Sequence, residues 1–435
     1  MKESIRNSNY EQLSSGEEDG RKRRRGKNSV FKICLLIISV IALGLLIYIA
    51  FFKTEKKPNE IHPLLEPGQK APVLVADIGG TNCRLRLIKL SADWDAEPEE
   101  IASDVLKPWK FKSIEALLRK FLSPFKNTPN YPLIAVLGIP GPIVDNTLDI
   151  LVNIPSWSKK TNGDELARKL GLQRLVFLND FVCNGYGIQS NLKEGVDYIN
   201  INGKPINQID KKFIIGPGTG LGVCYLIKND GADYYNVYGS EGSHQDFAPK
   251  DLQDFQYLQY LQKYYGEINI STEKACAGPA LVPMYQFLKG YFKAQKFEVK
   301  RDEELGKQLD KVVKTTDKDV VNPLNKKLVE YGLSGKCELS RKVLEYFIEI
   351  LGSIAGNMSI LTLPYGGIYI VGSLAGSLQQ IIEDKEGMFF VNSLLSRGEL
   401  NQILAQIPII LVKNTDLGML GAIECARIWL TEGKI

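Results

Sequence analysis

The sequence predicts an α/β protein whose folded body has two halves closing on a cleft, and three observations carry that prediction. From about residue 71 to 188, strand-like apolar runs alternate with helical periodicity in β-α-β-α order, which argues a largely parallel central sheet with helices packed on it. After Gly187 the pattern restarts, an echo of the first half in sequences too different to be called a repeat. Each half carries a glycine-rich loop after a strand-like run: Asp77-Ile78-Gly79-Gly80-Thr81-Asn82 in the first, Gly216-Pro217-Gly218-Thr219-Gly220-Leu221-Gly222 in the second.

Residues 1–29 are polar, charged and poor in apolar groups, and read as a disordered tail. A transmembrane helix is expected within 30–52, because residues 33–52 form an uncharged run rich in Leu and Ile. At 1.5 Å per residue such a run spans the ~30 Å of a bilayer core. It is too long for a signal-peptide core, so it reads as an uncleaved single-pass anchor. Six Lys or Arg precede it between Arg21 and Lys27 and three follow it, at Lys53, Lys56 and Lys57. That bias puts the N-terminus in the cytosol and the body across the membrane, which a body working on cytosolic substrates would contradict, so the topology stays open. Residues 53–70, with Pro58, Pro63 and Pro67, read as a linker.

The body opens with the strand Val73–Ala76, the first loop and a second strand from Cys83 to Leu90. A helix over 113–122 leads to the strand 133–137, which ends at Gly138-Ile139-Pro140-Gly141-Pro142, read as a turn. A helix over 163–170 and the strand 174–178 then deliver Asn179-Asp180. In open α/β sheets, functional groups gather where strands end. The second half brings the strand 212–215, the second loop, the strand 222–226, helices over 251–264 and 340–362, and strands at 368–371 and 409–412. A last helix runs from Asp416 to about Leu430. The charged stretch 298–336 reads as a helical, solvated face.

Composition narrows the chemistry. The net charge is +4, but residues 1–57 alone hold twelve Lys or Arg against six Asp or Glu, so the rest carries −2. A body with no basic excess has no electrostatic footprint for nucleic acid. The two histidines exclude a His-based metal cluster, and the seven cysteines, without a C-x-x-C pair, read as reduced and mostly buried.

Glycine-rich loops let the backbone approach a phosphate, and phosphoryl transfer needs charge stabilisation, in-line placement and an acceptor for the hydroxyl proton. Asp180, between the two loops, is the candidate base. Asn179 beside it can bond a neighbouring hydroxyl, and Glu241 and His244, three residues apart, can read the hydroxyls of a small polyol. Asp77 can hold Mg²⁺ through water, with Thr81 and Asn82 as donors to phosphate and Gly79, Gly80, Gly216, Gly218, Thr219 and Gly220 shaping the cradles. No G-x-x-x-x-G-K-[ST] is present, so the P-loop class is unsupported.

In this order the motifs resemble the bacterial-type glucokinase family of the hexokinase/actin-like ATPase superfamily, over roughly residues 71–430. The resemblance implies a two-domain actin-like ATPase (ribonuclease H-like) fold, with a small domain at 71–188 rejoined by 413–435 and a large domain at 189–412. It implies ATP and Mg²⁺ as cofactors and glucose, held by Asn179, Glu241, His244 and Glu273, as the partner in the cleft, with Asp180 as base for its 6-hydroxyl. Gly372-Ser373 falls on the adenosine-side motif, where two glycines are usual. The resemblance leaves a homodimer open. Competing readings are a tethered glucose sensor without catalysis and a kinase for another hexose such as glucosamine or mannose.

Overall fold

The computed structural model describes residues 65–433, apart from 67, 95, 150–153, 155, 156, 158, 159 and 313–317. The expected tail, the membrane helix and most of the linker lie outside the described residues. The chain from Pro63 onward forms one compact unit.

Its first sheet begins with β1 (Lys70–Ile78), whose residues Val73, Leu74, Val75 and Ala76 are fully buried, as a strand covered on both faces must be. β2 (Cys83–Ser91) returns antiparallel, pairing Cys83 with Ile78 and leaving 79–82 to make the turn. β3 (Glu99–Leu106), charged and largely exposed, forms the edge. β4 (Ile134–Ile139) and β5 (Arg174–Asn179) follow in parallel on the other side of β1, giving the order β3-β2-β1-β4-β5. The second sheet repeats this plan with β6 (Tyr198–Asn200), β7 (Lys212–Pro217), β8 (Leu221–Lys228), β9 (Tyr235–Ser240), β10 (Ile368–Ile370) and β11 (Ile409–Val412). Its order is β9-β8-β7-β10-β11-β6. The echo noticed in the sequence is therefore a structural one. The sheets are mixed rather than largely parallel, because each glycine loop is a tight hairpin and a hairpin can join only antiparallel strands.

Among the helices, α1 (Ile114–Leu122) is capped by the Ser113 hydroxyl and α2 (Gly163–Leu170) by Asn162. Both bury their apolar stripes on one face of the first sheet. α3 (Asp180–Gly187) starts directly at the end of β5. The second sheet carries α4 (Leu252–Tyr265), α5 (Leu281–Ala294), α6 (Glu303–Asp310), α7 (Lys318–Leu333) and α8 (Glu338–Thr362) around the largest core cluster. Finally α9 (Leu417–Glu432) returns to cover the other face of the first sheet and lies against α3, so close that a Cβ on Gly421 would fall 1.7 Å from the Cys183 carbonyl oxygen.

Two further expectations change. Gly138 and Ile139 belong to β4, and the turn begins only at Pro140, because both residues pair with β5. The stretch 298–336 is more than a solvated face: α6 and α7 bury Leu305, Leu309, Val321 and Leu328, and α7 reaches the cleft described below. Helix α8 is the one described helix long and apolar enough to cross a bilayer, and 78% of its apolar window is buried inside the protein, as in the core helix of a globular body. The six described cysteines are all free and buried.

Candidate active site

A cleft of about 890 Å³ is lined by both glycine loops, by residues 140–143 after β4, by 177–182 at the β5–α3 junction, by the end of β9 and by Glu241, Ser243, His244, Glu273 and Asn322. Strand ends and the loops that leave them thus converge on one space.

At its centre is the β5–α3 junction. Asn179 caps α3: its Oδ1 accepts from the backbone N–H of Phe181 (2.9 Å) and Val182 (3.2 Å), while its Nδ2 donates to the Gly141 carbonyl (3.2 Å). The N-cap of α3 is thus Asn179, not Asp180, and the Asn179 amide also holds the turn after β4. Asp180 occupies the first helical position, with Oδ1 accepting from Phe181 N–H at 3.0 Å. Burial raises its pKa above the ordinary carboxylate range, aided by the negative charges of Asp77 and Glu241, while the Phe181 N–H bond opposes the shift.

The first loop is a four-residue turn closed by Gly79 N–H donating to the Asn82 carbonyl at 2.9 Å. Gly79, Gly80 and Thr81 face the cleft; Asp77 and Asn82 stand behind them, outside its lining. Asp77 Oδ2 accepts from Arg84 Nε (3.1 Å) and a terminal guanidinium nitrogen (2.5 Å). Arg84 also bonds Asp416 (3.1 Å), which takes Arg86 at 2.7 Å. The N-terminus of α9 is thereby tied to the first loop.

The glycines of the second loop do different jobs. A Cβ on Gly222 would meet the Phe181 ring at 2.0 Å and one on Gly216 at 2.7 Å, so both positions make room for the residue after Asp180. At Gly220 a Cβ would fall 2.4 Å from a Glu273 carboxylate oxygen, the oxygen that accepts Leu221 N–H at 2.9 Å. Gly218 alone among the four has open space above it, with its nearest neighbour 3.9 Å away. Close approach of a ligand to backbone is thus available at Gly218, and protein packing explains the rest.

Glu241 and His244 flank a single helical turn, with side chains 3.6 Å apart and exposed at 74% and 60%. The turn is pinned from below: Thr272 Oγ1 donates to the Ser243 carbonyl (2.7 Å) and Thr272 N–H to the Gln245 carbonyl (2.9 Å). Because Glu273 follows Thr272, the same clamp brings Glu241, His244 and Glu273 to one wall. Gly372 and Ser373 do not line this cleft; Gly372, at φ +98°, abuts the Pro217 carbonyl behind the second loop.

Sequence reading missed Asn322. It sits before Pro323 inside α7, in a stretch whose charge suggested plain solvent exposure, and no local signal marks it. The anchor of α7 is Asn325, whose Nδ2 donates to the Gly278 carbonyl at 2.7 Å, while Gly278 N–H donates to Gly218 at 2.8 Å. Phe181 was also missed, though paired glycines at 216 and 222, two residues from a tight turn on either side, were a hint that a ring packs there.

A sequence model of the family described as Glucokinase matches residues 74–428. The chain belongs to the glucokinase family. A glucokinase from Nostoc sp. is 33% identical over 364 residues, which cover 81% of this chain and 98% of that one. Among solved structures, a glucokinase from an Antarctic psychrotroph is 25% identical with a TM-score of 0.64, covering 82% of this chain and 99% of its own. The glucokinase of Balamuthia mandrillaris, solved in complex with glucose, shares the fold at 20% identity and a TM-score of 0.61, over 84% of this chain and 96% of its own. The glucokinase family model and these relatives match the body; residues 1–73 precede the matched segment.

Proposed function

We propose that this protein is an ATP-dependent glucokinase, transferring the terminal phosphoryl group of ATP to the 6-hydroxyl of glucose. The observation that carries the reading is the half-buried carboxylate of Asp180, facing the cleft between two glycine hairpins, in a chain of this family. In the proposed step the sugar oxygen forms a bond to the γ-phosphorus, the bond from that phosphorus to the bridging oxygen breaks, ADP leaves, and the hydroxyl proton passes to Asp180. A carboxylate whose pKa is raised by partial burial is a better proton acceptor than a fully exposed one.

Glu241, His244 and Glu273 hold the sugar in this reading. Asn179 contributes through geometry, since both ends of its side chain already bond the backbone. The loops at 79–82 and 216–220 take the phosphates, with Gly372 and Ser373 supporting the second loop toward the nucleotide. Among the described residues no group of three metal-ligating side chains is assembled. That suits Mg²⁺, which keeps most of its water and takes one or two carboxylates plus phosphate oxygens. Asp77, with one oxygen uncommitted to Arg84, is the carboxylate that would hold it through water, leaving Asp180 free as the base; when bound, Mg²⁺ would neutralise charge on the donor phosphates. Domains at 71–188 with 413–435 and at 189–412 would close over the cleft, and residues 33–52 would anchor the chain in a membrane with the body on the ATP-containing side.

The test is coupled ADP release with glucose, mannose and glucosamine. Glucose is expected to give the highest kcat/KM. No sugar-dependent ADP formation, with glucose still raising the melting temperature, would overturn the kinase in favour of a sensor.

A further inference from the structure

Phosphoryl donors carry several negative charges, yet among the described residues the cleft lining includes three carboxylates, Asp180, Glu241 and Glu273, and no Lys or Arg. Some cation beyond Mg²⁺ must offset that imbalance as the donor settles on the loops. Arg84 stands close, but Asp77 and Asp416 already occupy both sides of its guanidinium. Lys107 is placed differently. Pairing of Leu106 with Cys83 sets the residue after β3 beside the first loop, and Lys107 Nζ donates to Asn82 Oδ1, a side chain of the loop itself. Its ammonium lies 5.5 Å from the centre of the Trp109 ring, whose side chain is largely exposed at 58%. Among the described residues, no carboxylate lies within ion-pair distance of Lys107.

We infer that Lys107 is the cation that binds the phosphates of the donor at the first glycine loop, with Asn82 holding the ammonium until the donor arrives. An amide oxygen is a weak partner for an ammonium, and a phosphate oxygen is a strong one. The long Lys stem lets Nζ leave Asn82 for an oxygen over Gly80 or Thr81 without moving the backbone. The Trp109 ring, 5.5 Å from the ammonium, adds a cation–π attraction that keeps the side chain beside the loop.

The inference rests on the kinase reading, so binding is measured apart from turnover. The full chain and its Lys107→Met and Lys107→Arg variants are titrated with Mg·ATP without sugar, by thermal shift and by equilibrium dialysis, and then assayed. Lys107→Met is expected to bind Mg·ATP about tenfold to a hundredfold more weakly, as loss of a charged hydrogen bond to phosphate implies. Its KM for glucose and its glucose-induced rise in melting temperature should match the parent, which also shows that it folds. Lys107→Arg should recover most of the binding. Mg·ATP affinity unchanged in Lys107→Met would overturn the inference, as would equal weakening of glucose binding. A parent chain that binds Mg·ATP through Lys107 but turns over no sugar would sink the kinase reading and leave this one standing.

Discussion

At Asp180, burial, like charges and a backbone hydrogen bond act on one side chain. It is half-buried, has neighbours of its own charge, and accepts a backbone hydrogen bond from Phe181. Since its folded pKa lies above the unfolded one, the folded state binds the proton more tightly, and any stability it contributes is lost as pH rises through the folded pKa. At neutral pH the ionised form is therefore a cost to folding. Asp180→Asn, which keeps the oxygen that accepts Phe181 N–H, should melt no lower than the parent at pH 7 while losing at least ~10²–10⁴ in kcat. Calorimetry and the coupled assay read the two effects separately. In the parent, the acid limb of kcat/KM should fall above the ordinary carboxylate range of about pH 4; a limb at or below that range would show that Asp180 is not the group titrating.

At the scale of elements, α9 is held by a buried charge. Arg427, 2% exposed, donates to the carbonyls of Ser91 (3.1 Å), Asp93 (2.7 Å) and Ala96 (3.2 Å), and its Nε lies 3.5 Å from Glu424. Burial raises the Glu424 pKa and the arginine opposes the rise. Arg427→Leu would strand Glu424 and three carbonyls, and should cost roughly 3–5 kcal/mol in denaturant unfolding. The residual folded enzyme should keep its KM for glucose, because Arg427 lies at the far end of α9 from the cleft. A loss below about 1 kcal/mol would mean that water replaces the lost bonds. Elements were largely legible in the sequence: Ser113, Asn162 and Asp251 cap helices where helical periodicity begins, and strand 409–412 lies as expected. Sheet direction was less so, since alternation of strands and helices speaks of crossovers and says nothing of which strands a four-residue glycine turn has already paired.

For the whole molecule, the body from Pro63 is a unit of its own, and the glucokinase match lies within it. A chain beginning at Pro63, which keeps every described residue of the cleft and the whole matched segment, should keep the kcat and glucose KM of the full chain to within about twofold. The same preparation shows whether residues 1–62 act only in placement: full chain in vesicles should sediment with lipid and the shortened chain should not. Equal sedimentation of both would argue against the anchor.

The sequence by itself determined the family and the identities of the groups that gather in the cleft, because both loops, the Asn179-Asp180 pair and the Glu241 to His244 segment are short motifs whose chemistry is local. Tertiary structure decided what each glycine and amide is for. Gly216, Gly222 and Gly220 give way to Phe181 and Glu273, Asn179 spends its side chain on a cap and a turn, and Asn322 and Lys107 arrive from segments with no motif at all. Those assignments depend on which atoms lie within a few ångströms across the fold, and distances between residues far apart in the chain are not encoded in any local pattern.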